Sequence, residues 1–337
     1  MDTWRFLRFR CIPILILALA VPPFGPAQSN SVLLRKRVSV APTQVSPALK
    51  AASQAPQVQA TAKSVDYEFV TIDVQGFAGT SAYGINDKGF VSGFYFDVNS
   101  NLHGFLWQNN SLRQIDYPGS VDTAFGDSTS AGVVIGNYGD FSVPVQHAVL
   151  YDVDRGTWTL LPDVQGYPDN FGNGINNRGR GTGAACGAII CVGWTWDGGE
   201  YTFFQAPDAD PATGGTYPNG INDRKEVAGQ FVDSNGVTHG FLKDEEGFTT
   251  LNVPGASNTF ASDVNAREET VGYYTDTNGN YHGFVEKHGK FITVDHPNAQ
   301  QTLIYGNNSR GDIAGTWVDS TGAQHGFVAF KHRTEKE

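Results

Sequence analysis

Hydrophobic and polar residues alternate along most of the chain from residue 67 onward, in short runs that end at Asn, Asp, Gly or Pro. Alternation with a period of two is typical of half-buried strands, and residues 248–253 show it well. The residues that end the runs favour tight turns. The pattern therefore predicts an all-β protein made of many short strands.

One phrase recurs six times: Gly-Ile-Asn, a turn, a strand, Asp-x-x-Gly, His-Gly-Phe, and an alternating strand that ends near a Pro. The copies, here units 1 to 6, begin at residues 84, 126, 174, 220, 263 and 306 and are spaced by 42 to 48 residues. The repeated residues are Asn86, Asn176, Asn222, Asn265 and Asn308, with His103, His147, His239, His282 and His325. Unit 2 departs from the phrase with Gly126-Asp127-Ser128, and unit 3 departs with Val192-Gly193-Trp194.

Each unit contains four strand-like segments, which in unit 1 lie at about 81–86, 90–96, from His103, and 112–117. Four strands in about 43 residues fit one propeller blade, although a linear stack of hairpins has the same period. A lone fourth strand, 69–74, precedes unit 1, and unit 6 stops after its third strand, 325–330. A closed ring explains this match between the ends. We therefore predict a six-bladed β-propeller of four-stranded blades over residues 67–330, in which the N-terminal strand completes the last blade.

Composition agrees with this fold, and the N-terminal residues predict where the protein is located. The 40 Gly residues disfavour a helical chain, and the abundant aromatic residues disfavour disorder after residue 66. Residues 1–27 read as a signal peptide with a basic start and a short apolar run. Residues 28–66 predict a disordered, basic linker rich in Ala, Pro, Gln and Ser, and residues 331–337 predict a polar tail. The expected location is extracellular, at the cell surface or in the periplasm, with no membrane span.

The distribution of charge along the chain indicates which classes of partner to expect. The net charge is −11, yet the leader and linker are basic, so the repeat region is more acidic than the whole chain. Such a surface disfavours nucleic acid and suits neutral ligands such as sugars, or cations. Extracellular glycans or proteins are the expected partners of a monomeric chain.

Cysteine and histidine usage predicts structural roles. Cys186 and Cys191 are expected to form a disulfide across a short hairpin, the alternative being two unbonded apolar residues. The repeated His residues would lie too far apart to share a metal ion, so we expect each to hydrogen-bond within its own blade. The Asp-x-Asn-Gly turns lack the Glu of an EF-hand loop. We predict no cofactor, with a single cation in a central channel left open.

The repeated Asn residues are expected to serve turn chemistry, the alternative being a ring of amides at one channel mouth. No nucleophile, zinc or phosphate-loop motif supports catalysis. Departures from the repeat concentrate in units 2 and 3, where aromatic residues could face a sugar. The candidate binding residues there are Tyr138, Phe141, Trp194, Trp196, Tyr201 and Tyr217.

The repeated phrase resembles the motif of the extracellular HAF repeat proteins of bacteria. The resemblance lies at Gly84 to Gly93, Asp233 to Phe241 and Leu251 to Gly255, and it extends over nearly all of residues 67–330. It implies secretion and a repeat fold, and it implies no enzyme activity.

The sequence thus favours a secreted binding or interaction module for a glycan, a cell-wall component or a protein. Two alternatives remain: a secreted hydrolase or lyase with carboxylates at a channel mouth, and a purely structural surface protein. Perturbed carboxylates in the channel would favour the enzyme, and an exposed aromatic patch would favour binding.

Overall fold

The structure is a computed structural model that describes residues 60–63, 67–74, 76–77, 79–140, 145–212 and 214–332. Within these ranges the chain forms 25 strands and no helix, so no helix that could span a membrane is found there. The strands are β1 (Ala60–Lys63), β2 (Tyr67–Ile72), β3 (Gly79–Ile85), β4 (Val91–Phe96), β5 (Leu102–Gln108), β6 (Ser111–Gln114), β7 (Asp122–Ser128), β8 (Val133–Gly139), β9 (Gln146–Asp152), β10 (Thr157–Leu160), β11 (Asp169–Ile175), β12 (Gly181–Cys186), β13 (Cys191–Asp197), β14 (Glu200–Phe204), β15 (Thr216–Ile221), β16 (Val227–Val232), β17 (Thr238–Lys243), β18 (Phe248–Leu251), β19 (Asn258–Val264), β20 (Thr270–Thr275), β21 (Tyr281–Lys287), β22 (Lys290–Thr293), β23 (Gln301–Asn307), β24 (Ile313–Val318) and β25 (Gln324–Lys331).

The strands pair in antiparallel order within each unit. Units 1 to 5 are β3–β6, β7–β10, β11–β14, β15–β18 and β19–β22. Unit 6 contains β23, β24 and β25, and β2 from the start of the fold pairs with β25. Single parallel pairs, Gln324 with Gly79 and Gln146 with Asp169, join some units into sheets of nine and eight strands.

The fourth strands are shorter than the sequence predicts. In unit 1 the strand β6 ends at Gln114, and the predicted continuation to Tyr117 is a loop. The strand β1 lies inside the segment predicted as linker, where it pairs with β2. The predicted signal peptide and the rest of the linker lie outside the described residues. At the other end, β25 reaches Lys331, one residue into the predicted tail.

The Phe of each His-Gly-Phe phrase fills the core of its unit. Phe105 is fully buried and lies directly opposite Gly93 on the neighbouring strand. A Cβ at Gly93 would approach the Phe105 ring to 2.9 Å, so the glycine makes room for the aromatic ring. Unit 4 repeats the arrangement with Phe241 over Gly229. The two glycine-containing motifs of the repeat are therefore coupled by packing.

Candidate functional site

The repeated histidines form hydrogen bonds inside their units. In each, Nδ1 lies 2.8–2.9 Å from an Asp or Asn oxygen just beyond the fourth strand. The pairs are His103–Asp116, His147–Asp163, His239–Asn252, His282–Asp295 and His325–Asp73. The last pair joins residues from opposite ends of the fold. The carboxylate of Asp116 raises the pKa of His103 against the opposing effect of burial, which is the largest single influence.

Each of these histidines also stacks on, or tilts against, an aromatic residue of the second strand. The ring centroids are 4.4–5.3 Å apart. The aromatic partners are Tyr95, Tyr138, Phe231, Tyr274 and Trp317. Within the described residues no three His, Cys, Asp or Glu side chains come together as metal ligands. The repeated histidines are thus placed as links between strands.

The repeated asparagines bridge adjacent units. The Oδ1 atom of Asn222 accepts hydrogen bonds from the backbone N–H groups of Arg224 and Glu226, which shapes the turn. Its Nδ2 atom donates to the carbonyl oxygen of Asn265 at 3.1 Å. Asn308 in unit 6 donates in the same way to the carbonyl oxygen of Asn86 in unit 1, also at 3.1 Å. These amide groups form hydrogen bonds with the backbone of the fold, so they are not available to a ligand as a ring of donors.

In unit 2 the repeated positions lie one residue later than the sequence motif indicates, although β7 and β3 have the same length of seven residues. The residue that occupies the asparagine position is Thr129, and not Ser128: its carbonyl oxygen accepts from Asn86 Nδ2 at 2.9 Å. Its Oγ1 atom accepts from Val133 N–H at 3.0 Å, as Asn86 Oδ1 accepts from Phe90 N–H. The register shift between Phe125 and Ser128 corresponds to the shift between Ala82 and Gly84 in unit 1.

With this register, two aspartates take the place of the repeated glycine: Asp127 in unit 2 and Asp263 in unit 5. Residues from the first-strand ends of all six units surround both side chains and line a cavity of about 90 Å³. Asp263 Oδ1 accepts from Val264 N–H at 2.8 Å, and Oδ2 accepts from Asn307 N–H at 3.0 Å. Asp127 Oδ1 accepts from Ser128 N–H at 2.6 Å.

Burial raises the pKa of both carboxyl groups. The pKa of Asp263 rises to about 7. The pKa of Asp127 rises well above its usual range, first through burial and then through the negative charge of Asp263. Both aspartates stood in the repeated motif of the sequence, but only the structure shows that they lie close enough to influence each other.

A larger groove lies between units 1 and 2. Its volume is about 360 Å³, and Tyr117, Tyr138, His147, Val121 and Val145 are among the residues that line it. The two tyrosine rings stack with centroids 3.7 Å apart and planes 13° from parallel. Both rings are half-buried, whereas Val121 and Val145 are exposed. The groove thus combines an aromatic wall with an apolar rim.

Polar groups flank this aromatic wall. His147 stacks on Tyr138 at 5.1 Å and bonds through Nδ1 to Asp163, whose side chain is 72% exposed. Asp140 also lines the groove. Burial, followed by the neighbouring Tyr117, raises the pKa of Tyr138 to about 12. The Tyr138 phenol is therefore a neutral donor and acceptor at physiological pH.

The structure does not bring the predicted binding residues together in one site. Tyr138 lines the groove, and Phe141 lies outside the described residues. Trp194 is completely buried, because it occupies the core position of Phe in the His-Gly-Phe phrase. This corrects its assignment as a surface contact. Trp196 and Tyr201 pack around Trp194 in the same cluster.

Tyr217 is half-buried against two core clusters, away from the groove. Cys186 and Cys191 form a disulfide across the β12–β13 hairpin, which leaves Ile189 exposed at the tip. Tyr117 was not selected from the sequence. It follows the fourth strand of unit 1, and only the contact between units brings it onto Tyr138.

Comparison with solved structures finds chains of similar fold. No protein-family model and no curated protein matches the chain. AofleA from Arthrobotrys oligospora is similar in structure, with a TM-score of 0.51, 11% identity, and coverage of 82% of this chain and 93% of that one. The SapL1 lectin in complex with alpha methyl fucoside has a TM-score of 0.50 and 8% identity, with coverage of 78% and 99%.

The β-propeller domain of the Trilobed protease from Pyrococcus furiosus has a TM-score of 0.49 and 8% identity, with coverage of 83% of this chain and 94% of that domain. At these identities the likeness concerns the fold alone. The described part of the chain is all-β.

Proposed function

We propose that this protein is a six-bladed β-propeller that acts outside the cell as a binding module for a glycan. Three observations support the architecture. Units 1 to 6 each pair four strands when β2 is counted with unit 6. All six units line one cavity, and the bond from Asn308 to Asn86 links the last unit to the first. The basic leader and the resemblance to HAF repeat proteins support export.

The observation that carries the binding function is the stacked pair Tyr117–Tyr138 in an open groove. Pockets for small ligands typically measure about 300–1,000 Å³, and this groove of about 360 Å³ falls in that range. An aromatic face packs against the C–H groups of a sugar ring, while phenol, imidazole and carboxylate groups satisfy its hydroxyls. Tyr138 stacks on both Tyr117 and His147, so the groove offers the exposed parts of these half-buried rings together with phenol, imidazole and carboxylate groups. The SapL1 lectin illustrates that a similar fold can carry sugar binding.

A glycan binding screen on the purified protein tests this proposal, followed by titration of the ligands that bind. Tyr138→Ala should weaken binding at least about tenfold, since loss of an aromatic anchor costs about 1 kcal/mol or more. Tyr274→Ala is the matched control. Tyr274 stacks on His282 in unit 5 as Tyr138 stacks on His147 in unit 2. The residue of the preceding unit that corresponds to Tyr117 is Val253 in this case.

A second variant, Tyr117→Ala, tests the same aromatic pair in case Tyr138→Ala disturbs folding locally. Thermal unfolding of all three variants shows whether each one is folded. The proposal is wrong if no glycan binds, or if Tyr274→Ala weakens binding as much as Tyr138→Ala and Tyr117→Ala do.

One observation favours a second candidate, a hydrolase or lyase. Asp127 and Asp263 are carboxyl groups with raised pKa that influence each other in a shared cavity, as acid–base pairs do in enzymes. However, the cavity of about 90 Å³ is smaller than typical ligand pockets. Both carboxylates also accept hydrogen bonds from backbone N–H groups. Polysaccharide cleavage that disappears in Asp127→Asn and Asp263→Asn would establish the enzyme.

A further inference from the structure

A histidine that lies between two carboxylates connects the N-terminal strand β2 to unit 6. His325, on β25, has its Nδ1 atom 2.9 Å from Asp73 Oδ2 and its Nε2 atom 3.4 Å from Asp319 Oδ2. Asp73 follows β2, whereas Asp319 lies in the turn between β24 and β25. The imidazole ring therefore bridges the start of the fold and its last hairpin.

The two contacts together require a protonated imidazole. A carboxylate oxygen only accepts hydrogen bonds, and a neutral imidazole has a single N–H group to donate. In the neutral form one ring nitrogen would direct its lone pair at a carboxylate oxygen, whereas the imidazolium form donates to both carboxylates. Accordingly, the hydrogen bond to Asp73 raises the pKa of His325 above its ordinary 6.5 against the opposing effect of burial, and Asp319 acts in the same direction.

Two other titratable groups face this histidine, and neither changes its charge near neutral pH. Trp317 stacks on His325 at 4.4 Å and on His296 at 4.1 Å. Burial, followed by the charge of His325, lowers the pKa of His296 to about 4. Burial acts against a low pKa at Asp319, but hydrogen bonds from the Thr321 hydroxyl and from backbone N–H groups bring it to about 2.

We propose that the Asp73–His325–Asp319 bridge is a pH-sensitive switch that holds β2 on unit 6 more firmly in a mildly acidic medium than in an alkaline one. The inference does not depend on the proposed glycan binding. A histidine whose pKa is raised in the fold stabilises the fold below the ordinary value, and this contribution is lost as the pH rises through the folded value. Because the bridge connects β2 to unit 6, the loss should appear as more frequent local opening of that strand.

Unit 4 contains a matched bridge that does not involve β2. The Nε2 atom of His239 lies 3.3 Å from Asp233 Oδ2, and its Nδ1 atom lies 2.8 Å from the amide oxygen of Asn252. Both partners of this histidine belong to unit 4, so its contacts hold only the strands of that unit. A substitution at Asp233 is therefore the control for the same substitution at Asp319.

Nuclear magnetic resonance of the histidine rings in isotopically labelled protein tests the protonation directly. The titration midpoint of His325 should lie above 6.5, and Asp319→Asn should lower it. Asn keeps the oxygen that accepts from the N–H groups of residues 321 and 323, and replaces the oxygen that faces Nε2 by an amide NH₂ group. Asp233→Asn should leave this midpoint unchanged. A midpoint at or below 6.5, or one that Asp319→Asn does not lower, overturns the proposal.

Hydrogen–deuterium exchange of the β2 amides measures the attachment of the strand. After correction for the intrinsic exchange rate, opening of β2 should become more frequent as the pH rises through the His325 midpoint. This pH dependence should be lost in His325→Gln, reduced in Asp319→Asn and retained in Asp233→Asn. If His325→Gln does not fold, the comparison of the two Asn variants still decides.

The exchange measurement can contradict the switch in two ways. The first is the same pH dependence of β2 opening in Asp319→Asn as in the natural sequence, and the second is opening that becomes rarer at high pH. Loss of the dependence in Asp233→Asn would also contradict it, because that carboxylate contacts His239 and not His325. None of these outcomes bears on glycan binding, which is measured separately.

Discussion

The contact of the N-terminal strand β2 with unit 6 can be tested by truncating Phe69. This side chain is 1% exposed and packs against Phe327 and His296, with ring centroids 5.4 and 5.0 Å away. It belongs to a buried cluster with Val271 and Ile304. Phe69→Ala removes a whole ring from this cluster. Truncation of a buried Phe to Ala lowers the free energy of unfolding by about 3–5 kcal/mol.

The assay is equilibrium unfolding in urea, followed by circular dichroism and tryptophan fluorescence. The midpoint should fall while the slope stays the same, which identifies a change of stability and not of the unfolded state. Glu68→Ala is the control, because Glu68 lies next to Phe69 on the same strand but is exposed, so its loss should change stability by less than about 0.5 kcal/mol. A loss below about 1 kcal/mol for Phe69→Ala would refute the placement of β2 in the core of unit 6.

Three further predictions concern the scaffold. The pKa of Asp263 is about 7 in the fold against an ordinary value of 3.8, so the folded protein binds more protons between those pH values than the unfolded chain does. The free energy of unfolding should therefore fall as the pH rises through that window. Asp263→Asn should reduce this slope in urea titrations at several pH values, and an unchanged slope would contradict the raised pKa. Removing the Cys186–Cys191 disulfide by double substitution with Ser should cost about 2 kcal/mol from the entropy of its short loop, and equal unfolding midpoints with and without reductant would contradict this. Gly220→Ala should cost about 1–3 kcal/mol, because the new Cβ would lie 2.6 Å from Asp263 Cα; Gly187→Ala, with its nearest neighbour at 3.5 Å, should be tolerated, and similar melting temperatures for the two variants would contradict the packing.

The repeat made most of the strand arrangement predictable. The units share similar turn residues and a similar alternation, so the strands assigned in the first unit predict those of the others. The lone strand at 69–74 and the incomplete unit 6 indicated their pairing, and Thr71 lies opposite Phe327 in the structure. Strand ends were less predictable, because Ile115, Asp116 and Tyr117 continue the alternation of apolar and polar residues although they lie beyond the end of β6.

The aromatic residues show where reasoning from the repeat was incomplete. Trp194 departs from the phrase in residue type, yet it occupies the core position of Phe105 and Phe241 and is buried. A change of residue type at a core position therefore reflects packing and not exposure. Tyr138 also occupies a regular position, that of Tyr95 and Tyr274. Its neighbour Tyr117 comes from another unit, so the sequence could not indicate the stacked pair.

The two buried aspartates and the groove are departures from the repeat of different kinds. At Asp127 and Asp263, the carboxylates accept hydrogen bonds from backbone N–H groups, and neighbouring glycines leave space for their side chains. These compensations are typical of a structural substitution that the scaffold has absorbed. In the groove, by contrast, half-buried tyrosines, two exposed valines and an exposed carboxylate remain open to solvent. Exposed apolar groups that cluster around a groove are common at ligand-binding sites. This difference favours the groove over the cavity as the proposed binding site.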